Sequence, residues 1–243
     1  MAKRKDFQER FYRKWSGSGD LTGQEVVVKE TDLFIFAEKD LSRAAEDAVK
    51  KYRREIEGYI KKRPEFQASL GPVGQDLSAP EIIREMIRAS GLAGVGPMAA
   101  VAGAIAEFVG GELLARSRQV IIENGGDIFI KSLKERIVAI FAGDSPLSNK
   151  LFIKIKAAET PLGVCASSGT VGHSLSFGKA DACVIISKST SLADAMATAV
   201  CNRIKDKKDI KAALEFAVSI KGVEGALAII GSDFGSAGNI ELA

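Results

Sequence analysis

Three short motifs stand in fixed order across the second half of the chain, and their residue types could work together chemically. They are Asn124-Gly125-Gly126-Asp127, then Ser167-Ser168-Gly169 with His173 close behind, then Ala193-Asp194-Ala195-Met196-Ala197-Thr198-Ala199. Together they hold the only histidine of the protein, two glycine-opened backbone sites, and a carboxylate one helical turn from a hydroxyl. A site for a phosphate-bearing ligand and a hard metal ion needs parts of these kinds.

Each motif also has a purely structural reading. Asp194 and Thr198 are four apart and so share one face of a helix, opposite Leu192, Met196 and Val200. That pair could give Mg²⁺ two oxygen ligands, with waters and phosphate oxygens completing the shell. Alternatively, Ser191 caps the helix and Asp194 bonds back to it, which leaves Thr198 merely exposed. Asn124-Gly125 is a strong hairpin signal, so Asn124 to Asp127 reads as a tight turn. It also reads as a loop whose amides close on a ligand while Asp127 accepts from a ring or ribose group. Ser167 to His173 is a hydroxyl- and glycine-rich loop suited to phosphate, with His173 as a proton shuttle, or else a polar loop with an incidental histidine. The sequence has no nucleophile-elbow motif of the G-x-S-x-G kind. Gly91, Gly94 and Gly96 precede a helix without the Lys-Ser/Thr of a Walker loop, and Pro97 removes an amide.

The elements that must position these residues follow from patterning. Val26–Val28 and Leu33–Phe36 predict a β-hairpin. Asp40 to Lys62 predicts a charged helix with one apolar stripe through Leu41, Ala44, Ala48, Tyr52, Ile56 and Ile60. A loop with Pro64, Gly71, Pro72 and Gly74 precedes a second helix that starts near Ser78, with Pro80 in its first turn. Met98 to Arg116 predicts a third helix, apolar all round over Met98 to Ala106 and therefore central. Strands are expected around residues 120–122, 128–130, 137–141, 151–153, 164–165, 182–186 and 226–230. Helices are expected at Leu192 to Ile204 and Ile210 to Ser219. Strands joined by short turns, with helices grouped in two blocks, indicate an α+β chain of one domain.

Composition narrows the function classes. At 243 residues, 46% hydrophobic and 27% charged, the chain can bury a real core. A net charge of +3, with early lysines and arginines interleaved with acids, argues against a nucleic-acid partner. Cys165, Cys183 and Cys201 lack paired spacing and read as small buried thiols of a reducing compartment. The longest apolar run, Met98 to Val109, contains Glu107 and is too short to span a bilayer, so no membrane partner is expected. With no secretory signal visible at Met1 to Asp6, a cytoplasmic location is expected. Nothing in the sequence sets an oligomeric state.

The ordered set of Asn-Gly-Gly-Asp, Ser-Ser-Gly with a nearby His, and Ala-Asp-Ala-Met-Ala-Thr-Ala resembles the ApbE-like superfamily. The match runs from about Gly94 to Ile204, and the Ala-Asp-Ala-x-Ala-Thr-Ala helix is its most specific part. Founding members bind FAD and, with Mg²⁺, attach FMN to a threonine or serine of a target protein. The resemblance implies a tunnelling-fold domain of antiparallel sheets packed with helices. It also implies Asp194 and Thr198 as metal ligands, His173 beside the active site, and Gly125 and Gly126 against the flavin nucleotide. Departures accompany it. The family's helix-start lysine has no counterpart in Gly96 to Val101, and its His-Ile-Leu-Asp-Pro segment is reduced to His173 through Gly178. The serine-rich FAD motif near the amino terminus is missing too. The chain thus resembles a shortened, divergent branch, expected to bind a flavin (FAD or FMN) or related nucleotide with Mg²⁺. It would act either as a flavin transferase with a protein acceptor or as a non-catalytic carrier.

Overall fold

The structure is a computed structural model that describes residues 19–170 and 177–243. Its centre is an eight-stranded sheet in which every neighbouring pair is antiparallel. In chain order its strands are β1 (Thr22–Val28), β2 (Thr31–Ala37), β3 (Val120–Asn124), β4 (Asp127–Lys131), β7 (Leu162–Ser167), β8 (Ala182–Ser187), β9 (Val223–Ile230) and β10 (Asp233–Gly238). They lie side by side in that same order. A second sheet is formed by β5 (Arg136–Ala139), β6 (Phe152–Ile155) and β11 (Glu241–Leu242), with β6 in the middle.

Side chains alternate across a strand, so each face of the large sheet needs its own cover. One face packs against α1 (Ser42–Lys62), α3 (Glu81–Ala93), α4 (Val101–Leu113), α5 (Thr190–Arg203) and α6 (Ile210–Ser219), with Ile35, Ile122, Cys165 and Ile185 pointing into that layer. A short α2 (Glu65–Ala68) buries Phe66 there. The other face sends Ile130, Leu162, Val164, Val184 and Ile186 against Ile140, Ile153 and Ile155 of the small-sheet side. β8 is therefore buried along its whole length, and its sequence, Ala-Cys-Val-Ile-Ile-Ser, shows no polar face. Among the described residues no single helix is long and apolar enough to cross a membrane.

Several boundaries differ from expectation for local reasons. The helix expected from Met98 to Arg116 is broken: Pro97–Ala100 form a 3₁₀ turn, and α4 starts only at Val101. Pro97 favours that first tight turn, and α4 then ends at Leu113, short of Arg116. Pro80 stands just before α3, in extended conformation, instead of inside its first turn. The stripe of α1 is rotated slightly, so Ala45 and Val49 are buried where Ala44 and Ile60 are only half-buried. β10 and β11 had no sequence-based counterpart, because their side chains are largely exposed and show no apolar run.

Candidate functional site

The third motif lies on α5, and the helix buries Leu192, Met196 and Val200 as the spacing requires. Its neighbours Ala193, Ala195, Ala197 and Ala199 are buried too, so only Asp194 and Thr198 leave the helix half-buried along that stretch. The capping arrangement differs from either expectation. Ser189, not Ser191, caps α5, its hydroxyl accepting the Leu192 N–H at 3.1 Å. Asp194 does not bond back to its own helix. Its Oδ2 accepts the Gly103 N–H at 2.8 Å, in the first turn of α4, which has no side-chain cap of its own. A carboxylate is well placed there, against the positive end of the α4 dipole.

The exchange is reciprocal. Glu107, one turn along α4, accepts the Ser191 N–H at 2.9 Å, the Ser191 hydroxyl at 2.8 Å and the Ser189 hydroxyl at 3.2 Å. Each helix thus supplies the acid that terminates the other. Gly103 makes the approach feasible: a Cβ there would stand 2.5 Å from the Thr190 carbonyl oxygen and 2.7 Å from Asp194 Cβ. Burial holds the Glu107 carboxyl above the usual carboxylate range, against the lowering effect of the Ser191 amide and hydroxyl.

The first motif is the two-residue turn of the β3–β4 hairpin. Asn124 pairs with Asp127 across it, and Gly125 and Gly126 have φ of 69° and 103°. Positive φ at both central positions is the primed turn whose twist suits a hairpin, and glycine adopts it without strain. Asn124 Nδ2 donates to the Ala102 carbonyl at 3.0 Å, which fixes the turn beside the start of α4. The Gly126 amide donates to Glu123 Oε1 at 2.9 Å.

Asp127 points into the helix layer and is only 6% exposed. The Cys165 thiol and the Ala166 amide beside it lower the pKa of its carboxyl, yet Oδ1 is buried with no partner. Burial, and then the nearby Asp194 charge, push the Asp127 carboxyl well above its ordinary range. Burial likewise raises Asp194, opposed by the Gly103 and Ala102 amides. Cys165 Sγ also reaches the Thr190 carbonyl oxygen at 3.4 Å. Burial, then the charges of the two acids, push this thiol well above its ordinary range.

The second motif supplies Ser167 at the end of β7, on the same strand face as Cys165 by alternation. Ser167 Oγ is buried without a partner, as is Thr190 Oγ1. The Ser168 hydroxyl accepts the Thr170 amide at 3.1 Å, and the Gly169 amide donates to the Ala180 carbonyl at 2.9 Å. A Cβ on Gly169 would run into the Gly178 backbone, and one on Gly178 into the Cys201 backbone, so these glycines lock the loop onto the end of α5. His173 lies outside the described residues. The structure therefore brings Asn124, Asp127 and Asp194 together around the start of α4, with Ser167 on the same face of the sheet and Thr198 one turn along α5. Ser168 and Gly169 belong to a loop packed further along α5.

Gly103, Glu107, Ser189, Thr190 and Cys165 complete this arrangement without having been singled out by motif. An acid inside the apolar run Met98 to Val109 was the available signal for Glu107. The others carried none, since their partners are distant in sequence. The donors around Asp127 and Asp194 are mainly hard oxygens, carboxylates and hydroxyls, which suits Mg²⁺ rather than zinc. Among the described residues there is no cluster of three or more His, Cys, Asp or Glu able to hold a metal by themselves.

This architecture, a large antiparallel sheet backed by helices, is the ApbE fold. The chain superposes on a mutant form of the flavin transferase ApbE from Vibrio cholerae with a TM-score of 0.60, 12% identity and coverage of 89% of this chain and 96% of that one. It superposes on the apo flavinyl transferase ApbE of Pseudomonas stutzeri with a TM-score of 0.59, 14% identity and coverage of 89% and 93%. At such identities the likeness is one of fold. By sequence, the chain belongs to the family described as AbpE bacteria, whose model matches residues 13–241. Curated relatives include a UPF0280 protein of Methanocaldococcus jannaschii, 41% identical over 223 residues and covering 89% of this chain and 91% of that protein. Another, from Methanopyrus kandleri, is 42% identical over 222 residues, covering 88% and 89%.

Proposed function

We propose that the protein binds a flavin or a related nucleotide, together with Mg²⁺, where the Asn124–Asp127 turn, the end of β7 at Ser167 and the Asp194–Thr198 face of α5 converge. The observation that carries this reading is the buried, unpartnered Oδ1 of Asp127 beside Asp194. A fold that buries an acceptor without a partner usually keeps it for a ligand or ion. In this reading Asp194 and Thr198 present oxygens to the metal, Ser167 and Asp127 accept or donate to the nucleotide, and Gly125–Gly126 keep the turn low beside it. Bound Mg²⁺ would neutralise phosphate charge. The Gly103 amide holds Asp194 in orientation.

Binding without turnover is the favoured form, because no lysine stands in Gly96 to Val101, where the transferases place one. The fold itself supports the second form, a transferase that moves FMN from FAD to a protein hydroxyl and releases AMP. Incubation with FAD and Mg²⁺ separates them. Tight binding with FAD recovered intact is the expected result, whereas AMP release with FMN attached to a serine or threonine of an added acceptor protein establishes the transferase. A protein that binds neither FAD nor FMN defeats both.

A further inference from the structure

We propose that the chain's own first eighteen residues cover the outer face of β1, β2 and β3, with Phe7, Phe11 and Trp15 as the apolar contacts. This goes beyond the nucleotide reading and does not rest on it. The outer face is the one turned away from the helices. On the helix side, β1 and β2 place Val26, Leu33 and Ile35 in one layer with the buried residues of α1. Alternation turns Glu25, Val27, Phe34 and Phe36 the other way. Across the strands, Phe34 lies between Glu25 and Glu123, and Phe36 between Gly23 and Ile121. The two rings meet edge to face, 5.0 Å apart, and a Cβ on Gly23 would stand 3.2 Å from the Phe36 ring. The buried residues that face the small sheet come from β4, β7, β8 and β9 of the large sheet, and none comes from β1, β2 or β3. Val27 stays 40% exposed, and Phe34 and Phe36 are only half-buried.

Three observations name the occupant. The first is where the chain enters β1. Asp20 is held by Arg136 of β5 at 2.8 and 3.1 Å and by Lys134 at 3.0 Å, so the residues before it start out on the small-sheet side. Eighteen residues span about 27 Å even as a helix, and a seven-residue strand is about 23 Å long. The second is spacing. Phe7, Phe11 and Trp15 recur every four residues, the interval that brings side chains to one side of a helix. Three aromatic rings are a large apolar surface for so short a segment to bury. The third is charge. The segment carries Lys3, Arg4, Lys5, Arg10, Arg13 and Lys14 against Asp6 and Glu9, and the face presents Glu25 and Glu123. Two copies meeting through this face would instead bring like charges together.

Trp15 is the only tryptophan, so its emission in the full chain reports on the segment directly. The expected emission is blue-shifted and weakly quenched by acrylamide, compared with the chain unfolded in urea. Phe11→Asp should shift it to the red and open Trp15 to acrylamide, in a protein that keeps its far-UV circular dichroism. The native cysteines are buried, so a nitroxide can be attached at Val27→Cys or, at the opposite edge of the sheet, at Phe234→Cys. The label at Val27→Cys should quench most of the Trp15 emission, and the label at Phe234→Cys should leave it unchanged. A native Trp15 as open to acrylamide as in urea overturns the proposal. So does a shielded Trp15 that the label at Val27→Cys fails to quench. Quenching that grows with protein concentration places the segment on a second copy and overturns it as well.

Discussion

Asp194 has two tasks, since the oxygen that terminates α4 belongs to the same carboxylate proposed to face the metal. Replacement separates them. Asp194→Ala removes the acceptor for the Gly103 amide and should cost about 1 kcal/mol, a melting-point fall of roughly 2–4 °C for a chain of this size. Asp194→Asn keeps an oxygen there and should melt close to the parent while losing Mg²⁺-dependent nucleotide affinity by about tenfold. Calorimetric titration beside a thermal melt checks both, and an alanine variant as stable as the parent removes the interhelical cap. Gly103→Ala should be worse than either, at about 1–3 kcal/mol, because its Cβ meets the Thr190 carbonyl and Asp194 Cβ. A denaturant midpoint equal to the parent's defeats that claim. The shared face of Asp194 and Thr198 was legible from their spacing, and the Gly125–Gly126 turn from its dipeptide. The burial of Asp127 and the partner of Asp194 were not, because they depend on elements that meet only in the folded molecule.

The first turns of α4 and α5 are each capped by an acid from the other helix, and Glu107 carries one half of that exchange. Its carboxyl is raised above 4.5 by burial, so the folded state holds this proton more tightly than the unfolded chain. The contribution to stability is complete below about pH 4.5 and is lost as pH rises through the folded value. Glu107→Gln keeps an acceptor and removes the buried charge, so its melting temperature should gain on the parent's from about pH 4.5 upward. Parallel curves across that range would show that the charge is not strained. In α1, a Cβ added at Gly58 would meet nothing within 4 Å, so Gly58→Ala should stabilise by about 0.5–1 kcal/mol through helix propensity. Urea unfolding that shows a loss instead would mean that the space is not free. At this scale most elements were legible from period and composition. The break at Pro97–Ala100 was obscured by a run of small apolar residues that fits either helix type, and exposed β10 and β11 offered no pattern to read.

Across the whole molecule, protection should be graded by layer. β7 and β8 have cover on both faces and strand neighbours on both sides, so their amides should exchange slowest. β10 and β11 should exchange early, and hydrogen-exchange mass spectrometry that finds the order reversed would contradict the layering. The α+β class and its antiparallel character followed from the sequence, but the sheet order did not. β2 pairs with β3 across α1 to α4, and local residues do not encode a partner so far away. That pairing has a consequence for how the chain comes off the ribosome. The N-terminal hairpin emerges first and finds no third strand until Val120 has been made. β7 and β8, by contrast, follow directly after β5 and β6 and are followed at once by α5, so both of their faces acquire neighbours made at nearly the same moment. Contacts close in sequence form early and distant ones late. The second half of the chain should therefore be the seed, with the half translated first the last to find its place.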